Sequence, residues 1–591
     1  MKKLFLLLFA LVGFSFAQNL HNPDITAPEI QSHINYLASD ELQGRMTGTP
    51  ELYKAADYLK KEFESYGLKP LFDGSYFQEF PFIEKLELGT NNFLSIDIKK
   101  GITPGGYDAK LKDEFIPLSF TDNQTAEGEL VFAGYGISAK DLNYDDYANI
   151  DVKDKIVVVF RNHPDMKSPH SKFEQYSSLR YKTTNARDKG AKGIIFVNTN
   201  EKPDDQLIAL KYDNAAKISE ICAVQIKRDI LNFIPLNDLQ NEIDSTLTPN
   251  SFKVDPTATI TITTEVNEVK GKSVNVGAYV EPVNDKYPDE YLVIGAHFDH
   301  LGWGTENSLY TGAPMIHNGA DDNASGTSGI LELAEKFAAA KDKINRKIVF
   351  ISFSGEELGL LGSAYVVNHF PLPIEKDIAM LNMDMIGRLN DKNDLIVYGT
   401  GTSSNWKSIL DDKNEYDFTL TFNDEGFGPS DQSSFYGKKI PVLFFFTGTH
   451  SDYHKPSDDA DKINSKGEEK VVKYVYDIAS TIANTDKIPD YISVERKDTG
   501  RMGGSRVYVG TVPDFAGDVD GYKLGGVTDG SPAAKAGLKA GDIIIQFGDK
   551  KISNIYDFTY AIGNYVPGDK VKVIVKRGDE LLNVEIILGS R

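Results

Sequence analysis

Five short motifs carry residues able to bind metal: GAHFDH at 295–300, NGADDNASG at 318–326, FSGEELGLLGS at 353–363, LNMDMIG at 381–387 and SDYHKPSDD at 451–459. From them come His297, Asp322, Glu357, Asp384 and His454, with Glu356 beside Glu357. Charge counting suits this set to two divalent ions. Two zinc ions bring four positive charges, which three carboxylates and one hydroxide cancel while the imidazoles stay neutral. If one aspartate and the hydroxide bridge the ions, each zinc keeps one histidine, one terminal carboxylate and two shared oxygens, the four-coordinate state zinc prefers. The donors are nitrogen and oxygen with no thiolate, so Zn2+, Co2+ or Mn2+ fits better than a soft-metal or iron–sulfur site, and the donors alone do not choose among the three.

Roles can be read motif by motif. Asp299, two residues beyond His297, is expected to accept the second imidazole N–H and fix the tautomer. His300 competes as a ligand, but the preceding strand and Asp299 favour His297. Asp321, Asp322 and Asn323 precede the helical stretch ASGTSG, where one of them could serve only as an N-cap; a bridging carboxylate suits Asp322 better than Asp321. Adjacent glutamates just past a strand point in different directions, so Glu357 is expected to bind metal while Glu356 acts as general base on the bound water and passes the proton to a leaving amine. Tyr453 is placed to hydrogen-bond a developing oxyanion, with a buried structural tyrosine as the alternative. Asp431, in GPSDQSSFYG, is a pocket-lining candidate whose commoner role would be in a turn.

These residues need a frame, and the chain supplies one. From 291 to 480, short apolar strands (YLVIGA, RKIVFISF, DIAMLNM, LIVYG, IPVLFFF) alternate with helical patterns such as SGTSGILELAEKFAAAK. The alternation predicts a doubly wound α/β layer, and His297, Glu357 and Asp384 closely follow three of its strands, where open α/β sheets bind ligands. Ahead of it, two amphipathic helices are expected near 26–38 and 50–67. A block at 113–265, with strand-like GELVFAGYG, KIVVVF and GIIFVN and a helical YKTTNARDKGA, reads as an inserted β-rich domain without a ligand cluster. A final β-rich module at 498–591 has its own rhythm: strands VYVGTV, GYKLGGV, DIIIQFGDKKI, KVKVIVKRG and LLNVEIIL, with helices at SPAAKAGLKAGD and YDFTYAIGNY.

The whole chain sets further bounds. Its 591 residues exceed one core and predict several domains. Residues 1–17, with Lys2 and Lys3 before an apolar run ending in Ser15 and Ala17, read as a cleavable secretory signal, too short to span a membrane and followed by no lipid-anchor cysteine. The expected location is therefore periplasmic or secreted, with no stable membrane anchor. The single cysteine, Cys222, excludes an intramolecular disulfide and is expected in a core. A net charge of −22 disfavours nucleic acid and anionic membrane as partners.

The five motifs, in this order, together with LASDELQGRMTGTPE…AADYLKKEFESYGLKP near the N-terminus, resemble the zinc exopeptidases of peptidase family M28, over roughly 20–112 and 266–488. The resemblance implies a discontinuous peptidase domain at 18–112 and 266–488. By position, His297 and Asp384 would hold one zinc, Glu357 and His454 the other, and Asp322 would bridge; Glu356 would be the base and Asp299 would support His297. The inserted block resembles a protease-associated (PA) domain through GELVFAGYGI, DVKDKIVVVF and KGAKGIIFVN, a type that lies over the entrance of related peptidases. The last module resembles a bacterial PDZ domain through GGVTDGSPAAKAGLKAGDIIIQFGDKKI, which implies a groove for a peptide or protein C-terminus; VYVGTV at 507–512 is the nearest candidate for its carboxylate loop. The implied activity is that of an exported dizinc aminopeptidase acting on peptides. A carboxypeptidase or dipeptidase would need a cationic group such as Arg388, and a receptor-like or peptide-binding protein would need no Glu356.

Overall fold

The computed structural model describes residues 23–494 and 507–590, apart from 99–104, 169–170, 201–203, 213–218, 255–257, 305–306, 514–518, 528–529, 554, 563–564 and 566. The expected signal segment lies outside the described residues.

A large mixed sheet organises the peptidase-like part. Its four central strands, in spatial order Lys347–Phe353, Tyr291–His297, Asp377–Met383 and Val442–Phe446, are parallel. Nearly every residue in them is buried, as expected for a parallel sheet covered on both faces, where no polar side survives to make strands alternate. One face packs on Ala27–Leu37, Pro50–Ser65, Gly326–Ala339 and Ser465–Asn484, in a core that includes Ile34, Leu59, Leu333 and Ile478. The opposite face packs Val366 and Phe435 against Val293, Ile351 and Phe353.

The two leading helices form where apolar periodicity places them. Pro50 opens the second helix at a position with no helical partner to lose, and the Thr49 side chain accepts from Leu52 N, a cap worth about 1 kcal/mol.

From Tyr291–His297 the chain moves through a helix to Lys347–Phe353 on one side, then crosses to Asp377–Met383 on the other. The strand ending in His297 therefore stands at a topological switch point, where an α/β sheet opens a crevice beyond its carboxyl ends.

The inserted domain leaves and rejoins through one antiparallel pair, Phe77–Leu88 with Val266–Val280, in which Leu88 opposes Val266. Phe93–Ile98 already pairs with Ala258–Thr263 in the second sheet. The insertion thus begins near residue 93 rather than at the expected 113. The buried Leu94 and Ile96 alternate with polar or exposed neighbours across FLSIDI, a six-residue signal between charged stretches that is short enough to pass unnoticed. Within the insertion, Thr125–Ala133, Ile156–Phe160, Gly193–Val197 and Cys222–Ile226 run parallel. Cys222 is free and buried in this core.

The C-terminal module is a small antiparallel sheet of Thr511–Pro513, Tyr522–Val527, Ile543–Phe547, Lys570–Arg577 and Glu580–Ile587 around its own core. Two expectations change here. VYVGTV is two short strands, Val507–Tyr508 and Thr511–Pro513, because Gly510 takes a left-handed φ of 79° against Ser531. SPAAKAGLKAGD forms only the short helix Pro532–Lys535, which stops before Gly537 at φ 83°. The module rests on the insertion through Arg187–Asp557 at 3.2 Å and Lys550–Asp188 at 2.8 Å. Among the described residues no helix is long and apolar enough to cross a membrane.

Candidate metal centre

His297 is the last residue of its strand and is almost wholly buried. Its Nδ1 lies 3.2 Å from the Asp299 carbonyl oxygen. That oxygen can only accept, so the ring proton sits on Nδ1 and Nε2 carries a lone pair. The Asp299 carboxylate, expected to take this proton, stands farther off at 3.6 Å; its Oδ1 instead accepts the Glu356 N–H at 3.2 Å. A short side chain two residues along the same strand end reaches its neighbour's backbone more readily than the ring behind it.

The lone pair of His297 faces Asp322 Oδ1 and Asp384 Oδ2, each 3.4 Å away. Asp322 turns its other oxygen to His454 Nε2, at 3.2 Å, and that nitrogen is 3.4 Å from Glu357 Oε2. His454 is set the same way as His297: its Nδ1 is 2.8 Å from the carbonyl of Asn307, which leaves Nε2 as the acceptor. It adopts a φ of 54°, uncommon for a residue with a Cβ, so local backbone conformation is held in a strained region to aim the ring.

These separations can be set against the spacing of a hydrogen-bonded cluster and that of shared ions. Direct charge-assisted hydrogen bonds would close to about 2.7–2.9 Å. Donors around a tetrahedral zinc at its usual bond lengths stand about 3.4 Å apart, the edge of the tetrahedron. The four pairs, at 3.2–3.4 Å, fit the second spacing. The buried His297 Nε2 and Asp384 Oδ1 also have no hydrogen-bond partner among the described residues, and neither has His300 Nε2. The residues present therefore fit two zinc ions on either side of Asp322.

His300 behaves differently. Its Nδ1 is 2.6 Å from Glu357 Oε1 and 4.0 Å from Asp322 Oδ1. The first distance is a hydrogen bond and the second is too long for a tetrahedral edge, so His300 orients Glu357 while His454 completes the donor set.

The electrostatics agree with a cation site. Burial first, and then neighbouring carboxylates, hold Glu356 and Glu357 well above the ordinary carboxylate range, with His297 opposing in both cases and His454 also opposing at Glu357. Burial would lower His297, but Asp384 and Glu356 raise it well above 6.5, so a cation binding at Nε2 must displace the second proton that these carboxylates would otherwise hold there. Negative charge in this crevice exceeds what two imidazoles can balance.

Glu356 is mostly enclosed but keeps some solvent exposure, and its charge acts on His297. Tyr453 stacks on His454 with ring centres 3.8 Å apart, and burial followed by Asp322 and Glu357 raises its phenol, which keeps it a donor. Asp431 is more than a turn residue. It is fully buried, caps no helix through its side chain, and is pushed up to about 7 by burial, with His297 opposing and Asp299 and Asp384 adding. Asp321 is turned away, accepting from Gly387 N at 2.7 Å and facing His450 at 3.1 Å.

Asp458 was not singled out by sequence reasoning. Its Oδ2 accepts the N–H groups of Asp321 and Asp322 at 2.9 and 3.1 Å, while Arg388 holds its Oδ1 at 3.0 Å and reaches Asp452 at 3.5 Å. The only hint was a repeated acid in SDYHKPSDD, which reads equally well as a solvated turn.

Residues 275–479 match the sequence description of peptidase family M28, residues 126–232 that of the PA domain and residues 494–588 that of the PDZ domain. Aminopeptidase YwaD of Bacillus subtilis (strain 168) is 27% identical over 295 residues, covering 48% of this chain and 56% of that protein. Probable leucine aminopeptidase 2 of Trichophyton verrucosum (strain HKI 0517) is 32% identical over 167 residues, covering 27% of this chain and 30% of that protein. The chain thus spans about half the length of the first of these curated relatives and less than a third of the second. Among solved structures, an aminopeptidase from Aneurinibacillus sp. strain AM-1 aligns with a TM-score of 0.47 at 24% identity, over 80% of this chain and 97% of that one. Residues 275–479 are therefore similar to peptidase family M28, with a segment similar to the PA domain ahead of them and one similar to the PDZ domain behind.

Proposed function

We propose that this chain is a dizinc aminopeptidase that removes N-terminal residues from peptides. The observation that carries the reading is the tetrahedral-edge spacing on both sides of Asp322. His297 and Asp384 would hold one ion, His454 and Glu357 the other, and Asp322 both. When bound, zinc polarises a carbonyl and makes water acidic near neutral pH. Glu356, beside this set, takes the proton of the attacking water and returns it to the leaving amine. The Tyr453 phenol donates to the oxyanion that forms on the scissile carbonyl.

The choice of chain end follows from charge. Beyond the carboxylates that the two ions would neutralise, Asp299, Glu356 and Asp431 add negative charge beside the set, which favours the cationic amino end of a peptide. A carboxypeptidase or dipeptidase would need a free cation for the carboxylate end, and Arg388 is committed to Asp458 and Asp452. A receptor-like or peptide-binding protein would have no use for Glu356 in its position.

The test is release of an N-terminal amino acid from unblocked chromogenic peptides, lost with chelator and regained with zinc. Cleavage of N-blocked peptides but not unblocked ones would overturn the aminopeptidase reading. Co2+ or Mn2+ should restore part of the activity if N/O donors alone define the site. We also assign the protein to the periplasm or the exterior, with the PA domain filtering substrates at the entrance and the PDZ domain taking an extended peptide end by strand addition. A mature protein that begins at Gln18 is the expected result of N-terminal sequencing, and retention of Met1 would oppose export.

A further inference from the structure

We propose that Thr47 is a positioning residue of the metal centre, acting through Asp299, and that the segment from Gly44 to Thr47 forms the outer wall of the site. The inference rests on the metal-binding reading above and adds a residue 252 positions upstream of the aspartate it holds.

Arg45 anchors the segment. Its side chain is fully buried, and its guanidinium donates to Phe298 O at 2.8 Å, Asn318 O at 2.7 Å, Gly319 O at 2.9 Å and the carbonyl of Leu37. One rigid fork therefore joins the backbone beside His297 to the loop that leads into Asp322. A buried guanidinium is tolerated only when its donors are met, and backbone carbonyls meet them here. The main chain adds two more ties, His300 N to Arg45 O at 3.2 Å and Gly302 N to Gly44 O at 3.0 Å. Gly44 is required at this close approach: with φ at 71°, a Cβ would fall 2.3 Å from His317 O.

Within this wall Thr47 Oγ1 donates to Asp299 Oδ2 at 2.7 Å, and both side chains are buried. The other oxygen of Asp299 accepts Glu356 N and flanks His297 Nδ1. The hydroxyl therefore fixes the rotation of a carboxylate that touches the backbone of the base and the ring of a proposed ligand. Without that donor the buried carboxylate loses a partner and turns to seek another, carrying Glu356 and His297 with it.

The test compares Thr47→Val, which keeps the shape and removes the donor, with Thr47→Ser, which keeps the donor. Zinc affinity is measured by competition with a chromogenic chelator, thermal unfolding is followed on the zinc-free proteins, and kcat and KM are measured separately. The expected result for Thr47→Val is zinc affinity weaker by about 10–100-fold, a fall in kcat with KM held, and a zinc-free unfolding midpoint lowered only modestly, so that the protein is still folded at the assay temperature. Thr47→Ser should restore affinity and kcat. Wild-type affinity in Thr47→Val, failure of Thr47→Ser to rescue, or a lowered zinc-free midpoint that accounts for the loss would each overturn the proposal. A wild-type protein that binds no zinc would instead sink the reading of the site itself, so the two failures are distinguishable.

Discussion

Two of the sheets have parallel central strands whose carboxyl ends lead into polar residues, and the two ends behave differently. In the inserted domain the residues after the strands pair with one another. Arg161 donates to Asn198 at 2.8 Å, Asn198 to Asp205 at 2.9 Å, and the buried Lys182 to the carbonyls of Phe160 and Asn162. At the carboxyl ends of the large mixed sheet Asp322, Glu357 and Asp384 converge with two imidazoles at 3.2–3.4 Å, longer than direct charge-assisted hydrogen bonds of about 2.7–2.9 Å. Strand ends alone do not make a site. The proposed site adds an excess of like charge, with donor atoms held apart at one common spacing.

That contrast can be broken by substitution. Asp322→Ala should have the largest effect, since Asp322 alone faces both histidines: zinc content should fall for both positions together, and peptidase activity should drop beyond the roughly 10–100-fold typical of an outer partner. Glu356→Gln should lower turnover by about 10²–10⁴-fold while zinc content stays at the wild-type level, which separates the base from the ligands. Asp458→Asn, which weakens the hold on the Asp321 and Asp322 amides, should loosen zinc by about 10–100-fold in a chelator titration.

The smallest effect belongs to the inserted sheet. Burial pushes the Lys182 ammonium down to about 7, with Asp146 acting the other way. The folded protein then releases this proton before the unfolded chain does, at about 10.4. Between those values the unfolded state binds more protons, so this residue makes stability rise with pH, and the contribution is lost as pH falls through 7. Lys182→Met should flatten the rise in thermal midpoint between pH 7.5 and 9 relative to wild type. An unchanged slope would remove Lys182 from the account.

What the sequence made legible followed from local pattern. His297, Glu357 and Asp384 sit just after apolar strands, and a strand followed by a histidine or acid is readable within ten residues. The doubly wound layer was readable for the same reason, because burial on both faces leaves long apolar runs such as YLVIGA and DIAMLNM. Partnership over long separations was not readable. Thr47 and Asp458 look like a loop threonine and a surface acid until folding brings them to Asp299 and Asp322. His300 could be weighed against His297 from sequence, but its actual role, a hydrogen bond to Glu357, depends on a side chain 57 residues away. The start of the insertion was missed because pairing between Phe93–Ile98 and Ala258–Thr263 joins segments that carry little signal separately.

The central claim is that five residues arranged around Asp322 hold two zinc ions. Metal analysis of the purified protein after dialysis against zinc-free buffer, beside Asp322→Ala prepared in the same way, tests it most directly. The account predicts two zinc ions per wild-type chain, both lost or weakened together in the variant. A wild-type protein that retains a single ion, or a variant that keeps both, would contradict it.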